Sequence, residues 1–182
     1  MSPAAPESPA TSPPAATAVR RSLWFRVVVV LVVLVLGVLT WWWRSPELFG
    51  GQGSTLTIRD ETGTVALAGV LVVPQQVGDG TVTVHSAQPR IVKAADGTEV
   101  DVLACHDGSF GTARGRDSLD EYCMSHGEVA GARLDEGDSL VVAVRSDEPQ
   151  RVVVDGVDVT YSYGWQRGTQ TTGLTAVVTF AG

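Results

Sequence analysis

Two thiols, two imidazoles and a thioether lie close together in this chain, in Cys105-His106 and Cys123-Met124-Ser125-His126. In an oxidising compartment two cysteines most simply form a disulfide, here Cys105–Cys123. It would close the loop HDGSFGTARGRDSLDEY, the longest stretch of its region without strand character. Closing a loop of that size stabilises a fold by about 3 kcal/mol in the loop-entropy argument. Left reduced, Cys105, His106, Cys123 and His126 would instead be soft ligands for copper or zinc, or a thiol enzyme's centre.

The order Cys, His, Met near the end of a β domain resembles cupredoxins, which would imply a copper site. Here Met124 precedes His126, and about sixty residues follow Cys123. Adjacent Cys105 and His106 also point to opposite faces of a strand. The strand end VLAC at 102–105, behind an amino-terminal anchor, resembles sortase transpeptidases in outline. That resemblance implies a cysteine nucleophile with an upstream His and an Arg on the next strand. The only upstream histidine, His85, lies twenty residues away, closer than in that family. In that oxidising compartment a second cysteine nearby would also be joined to the nucleophile as a disulfide, removing the free thiol. The metal or thiol reading therefore stands as the alternative to the disulfide, and no cofactor is implied.

Other chemistry finds less support. Gly108-Ser109-Phe110-Gly111 lacks the spacing of a nucleophile elbow. Paired acids (Asp120/Glu121, Asp135/Glu136/Asp138, Asp147/Glu148) fall where turns are expected and read as solvated. Asp135-Glu136-Gly137-Asp138 lacks the regular spacing of a calcium loop. His85 alternates with Val82 and Val84, which places it toward solvent. Near the carboxy terminus, Tyr161 and Tyr163 share a strand face, and a glycine-flanked loop carries Trp165 and Arg167. Trp, Tyr and Arg dominate binding hot spots, so these four are the candidate binding residues. The competing expectation is that Trp165 caps the end of the core.

The segment that decides where this chemistry takes place is Val27–Trp43, seventeen residues with no charge and only Thr40 polar. As a helix it spans about 25 Å, and adding residues 23–25 brings it to a bilayer's hydrocarbon thickness of about 30 Å. Arg20, Arg21 and Arg26 precede the run and only Arg44 follows closely, so the amino terminus is expected in the cytoplasm. Trp41-Trp42-Trp43 suits the outer headgroup layer. No small-x-small site follows, which favours an uncleaved anchor at 23–43 over a signal peptide. The expected location is the cell membrane, with a single pass, the lipid bilayer as partner and the carboxy-terminal domain extracellular.

Charge divides the same way. Residues 1–44 carry +3 and residues 45–182 carry −10, together the −7 of the chain. So acidic an ectodomain lacks the basic footprint of nucleic-acid binding. The absence of Asn and the single Lys93 against twelve arginines suit a GC-rich, actinobacterial genome. Residues 1–22, rich in Pro and Ala, are expected to be a disordered tail, and 44–54, with Gly-Gly-Gln-Gly, a flexible linker.

From Thr55 to Gly182 short apolar or alternating runs are separated by turn residues. Strands are expected at 55–59, 64–73, 81–86, 89–94, 98–104, 128–134, 139–145, 151–154, 157–163 and 173–180. Asp79-Gly80, Asp96-Gly97 and Asp155-Gly156 supply hairpin turns, and Pro74, Pro89 and Pro149 mark strand ends. Asp117–Ser125 is the one expected short helix. The fold class is all-β: an antiparallel β-sandwich, immunoglobulin-like, or a small barrel. The function expected is a non-enzymatic accessory or binding role in the bacterial cell envelope, beside another envelope or membrane protein.

Overall fold

The computed structural model describes residues 16–44, 47–50, 53–73 and 80–182. The expectations for the tail at 1–15, for Pro74 and for Asp79 lie outside these residues, as do linker positions 45, 46, 51 and 52. The chain divides into an amino-terminal unit and a second unit, Trp43–Gly182.

In the first unit, α1 runs Ala16–Arg44. It starts well before the expected Leu23, because Ala-Thr-Ala-Val-Arg-Arg contains no helix breaker and extends the turn pattern of the apolar run. The part of the expected disordered tail from Ala16 onward is thus helical. Within Trp24–Trp41 every side chain is exposed, apolar residues lie on all faces, and the Thr40 hydroxyl bonds back to the Leu36 carbonyl. By length and composition this helix can cross a membrane.

The second unit is built from β1 (Thr55–Glu61), β2 (Val65–Val72), β3 (Val82–Lys93), β4 (Thr98–His106), β5 (Thr112–Arg114), α2 (Asp117–Tyr122), β6 (Ser125–Glu128), β7 (Arg133–Leu134), β8 (Ser139–Ser146), β9 (Arg151–Tyr163) and β10 (Gln166–Ala181). The strands form two five-stranded sheets, β1-β10-β9-β3-β7 and β5-β2-β8-β4-β6. One apolar cluster takes residues from both: Ile58, Val84, Val152, Val159 and Phe180 from the first, Val70, Val102 and Val142 from the second. Alternation explains most of this, as in β9, where Val152, Val154, Val157, Val159 and Tyr161 are buried.

Several expectations change. The pairing is not wholly antiparallel: β1 runs parallel to β10, from Thr55 opposite Thr175 to Glu61 opposite Ala181. The first strand thus closes against the last. The separate strands expected at 81–86 and 89–94 fuse into β3, with register shifts that absorb Pro89. Beyond Val84, β3 is paired among the described residues through β9 alone, so the missing N–H of Pro89 costs no ladder bond on the other side. The pieces at 151–154 and 157–163 fuse likewise, and Asp155-Gly156 is no hairpin. Gly156 (φ +74°) sits at an irregularity opposite Thr172–Thr175, where a Cβ would lie 2.5 Å from the Thr172 carbonyl oxygen. The run expected at 128–134 divides between the sheets as β6 and β7. Asp96-Gly97 does form its turn, with Gly97 at φ +79°.

Candidate functional site

Cys105 and Cys123 are joined in a disulfide, their Cα atoms 5.3 Å apart. Cys105 lies at the end of β4, and the loop it closes carries β5 and α2. That loop covers the outer face of the second sheet. Leu119 of α2 and the disulfide pack on Leu67, Val141 and Ala143, with Phe110 and Ala113 at the margin. The approach is close: the Gly69 amide donates to the Gly111 carbonyl at 3.0 Å, and a Cβ on Gly69 would strike the Phe110 carbonyl oxygen. The longest irregular stretch of the domain is therefore a cover over apolar surface.

The two histidines do not converge. His126 stands opposite Cys105 in the β4–β6 register and so shares its face, whereas His106, next along the strand, faces the other side. His126 Nε2 lies 3.1 Å from Asp120 Oδ1, and His106 Nδ1 lies 2.9 Å from Asp138 Oδ2. Both thiols are consumed in the disulfide. Among the described residues no group of three or more His, Cys, Asp or Glu is placed to hold a metal ion.

Asp138 differs from the solvated turn acid expected of it. Buried, it accepts hydrogen bonds from the Asp107 amide at 2.8 Å and the Asp135 amide at 2.9 Å, besides its contact with His106. Its oxygens hold the chain together at this turn instead of opening toward a ligand. His85 is exposed, as its alternation implies, with Nε2 3.1 Å from Ser162 Oγ.

The four candidate binding residues separate into two kinds. Tyr161 is fully buried, its ring edge-on to Phe49 with centroids 4.9 Å apart. Its hydroxyl donates to Gln170 Oε1 at 3.3 Å and accepts from the Leu48 amide at 3.4 Å. Burial raises its pKa above the ordinary value, the hydrogen bond from Leu48 opposes that shift, and the charge of Glu47 adds to it. Tyr163 is partly buried against the same core. Trp165, by contrast, is 75% exposed at the β9–β10 turn and does not cap the core, and Arg167 beside it is exposed too.

Phe49 is a core residue that sequence reasoning misses. It falls inside the expected flexible linker, yet it is 1% exposed, its amide donates to Gln170 Oε1, and its carbonyl accepts from Gln170 Nε2. The sequence signal is small: Leu48-Phe49 is the only apolar pair between Arg44 and Thr55.

A second arrangement is also unforeseen. On β1 the inward face reads Leu56, Ile58, Asp60, so a carboxylate occupies a core-facing position at the sheet's edge. Asp60 Oδ1 accepts from the Glu61 amide at 3.0 Å and lies 3.8 Å from Arg114 Nε. Its Oδ2 is buried with no hydrogen-bond partner among the described residues. Arg114, from β5 in the other sheet, donates through Nη2 to the Arg59 carbonyl at 2.7 Å. The arginine thus bridges the edges of the two sheets, and a cleft of about 420 Å³ opens beside it.

These features define a class: a β domain of two sheets, carrying one disulfide, in a chain with an apolar helix ahead of that domain. The chain matches no protein-family model and has no significant similarity to a curated protein.

Proposed function

We propose that this chain is a single-pass membrane protein whose β domain lies outside the cell and acts there as a non-enzymatic accessory or binding module of the envelope. The observation that carries the reading is the pairing of an apolar α1 with a disulfide-bonded domain later in the chain. A disulfide persists in an oxidising compartment, and the excess of arginine before the apolar run favours export of the residues after it. The domain itself reads as an immunoglobulin-like sandwich. Supporting this, β2-β8-β4 and β3-β9-β10 reproduce the B-E-D and C-F-G order, with β1 moved to the edge beside the last strand. Trp165 and Arg167, exposed together at the β9–β10 turn, are the residues proposed to meet a protein partner.

Intact cells treated with an impermeant protease test the placement. Residues 45–182 should be degraded while the amino terminus survives, and alkaline carbonate should leave the chain in the membrane pellet. Protection of the domain, or its release by carbonate, overturns the reading. Cross-linking from position 165 in native membranes then tests the role, with one recurrent envelope protein as the expected product. No product above that from an exposed control position counts against it.

A further inference from the structure

We propose that the cleft between β1 and β5 binds a phosphate group. Its donors come from both sheets. Thr57 and Arg59 sit two apart on β1 and share a face, and Thr112 and Arg114 do the same on β5. The same Thr-x-Arg spacing therefore lines the cleft from either side, and α2 adds Ser118 and Tyr122. The Ser118 hydroxyl is already committed to the Arg114 carbonyl, but those of Thr57 and Thr112 have no protein partner among the described residues.

Charge makes the site unusual for its setting. Residues 45–182 hold nineteen acids and nine bases, yet no Asp or Glu is among the described residues that line this cleft. Asp60 and Glu61 line a neighbouring hollow that shares Arg59 and Arg114 with it. Asp60 keeps a carboxylate beside Arg114 Nε, and the Arg59 carbonyl holds Nη2, so the guanidinium is positioned before any ligand arrives. Arg116 and Arg145, by comparison, are each paired with a carboxylate, Asp101 and Asp147. Arg59 has no such pair among the described residues.

The number of donors selects the ligand. Two guanidiniums and two hydroxyls lining one cleft offer more donors than a planar, singly charged carboxylate accepts well. A phosphate presents at least three strong acceptor oxygens and a charge of about −1.5 to −2, matching forked arginine donors. The phosphate can be free, a monoester of a small molecule, or the singly charged diester of a lipid headgroup, and the test separates the soluble sources from the lipid one.

Equilibrium dialysis of the full chain in phosphatidylcholine nanodiscs against radiolabelled orthophosphate, at constant ionic strength in chloride, reads the site directly. Retention should saturate at one phosphate per chain. Sulfate should displace it and acetate should do so at least tenfold less well. Arg59→Gln should weaken retention tenfold or more. Thr112→Val, on an exposed strand position, should weaken it severalfold with the circular dichroism spectrum unchanged. Replacing part of the phosphatidylcholine with phosphatidylglycerol should lower orthophosphate retention only if the lipid headgroup is the source. Retention that does not saturate, that persists in Arg59→Gln, or that acetate reverses as well as sulfate overturns the proposal. None of these outcomes bears on membrane topology or on a protein partner at Trp165, so this site stands or falls alone.

Discussion

Tyr161 and Asp138 show how far residue type can mislead about role. Both look like surface chemistry in sequence, one as an aromatic binding residue and one as a turn acid, and both are structural. The tyrosine has a consequence that can be read in pH. Its pKa is raised chiefly by burial, so the folded state disfavours the phenolate. A group titrating higher in the folded than in the unfolded chain contributes stability that is intact below the unfolded value, about 10 for tyrosine. That contribution is lost as pH rises through the folded value. Unfolding free energy, measured in urea from pH 8 to 11, should therefore fall above about pH 10. Tyr161→Phe should show a shallower fall in that window while starting lower, because the bonds to Leu48 and Gln170 are gone. An identical alkaline slope in both proteins would show that another group governs it.

Among the elements, the ones most legible in sequence are those with one wet face. TEVDVLA and VDVTYSY alternate, and both lie wholly within strands, the first opening β4 and the second ending β9. Continuous apolar runs such as SLVVAVRS predict strands too, but not why both faces are dry. The reason is the disulfide loop, which lies over the outer face of β8 and β2. The fused strands and the parallel β1–β10 pair escape because Asp-Gly and Pro mark a turn or a bulge equally well, and only the partner strand decides. The phosphate cleft escapes for a related reason: its two Thr-x-Arg segments lie in different sheets, and no period links them. The cover makes a direct prediction. Replacing both cysteines with alanine should lower stability by about 3 kcal/mol through loop entropy. It should also loosen the cover, so that amide exchange rises at Leu67 and Val141 well before global unfolding. Unchanged exchange there would mean that Leu119 and Phe110 hold the loop without the bond.

At the scale of the whole molecule, the question is where the folding unit begins. Composition places its start at Thr55, after a glycine-rich stretch that looks like a free linker. Phe49 argues otherwise. Its ring is inside the apolar cluster that both sheets share, and Gln170 binds its backbone on both sides, donating to the carbonyl and accepting from the amide. Leaving the site empty would open a cavity against Tyr161, and truncating a buried phenylalanine costs about 3–5 kcal/mol. A chain beginning at Glu47 should therefore unfold in one cooperative step at a clearly higher urea midpoint than a chain beginning at Gly53. Phe49→Ala in the longer chain should abolish most of the difference, since the ring and not the chain length supplies it. Equal midpoints for the two chains would show that the Leu48–Phe49 contact contributes no net stability. With the predicted result, the cooperative unit begins at Leu48 and not at Thr55, because a single buried ring ties the segment between them to the core.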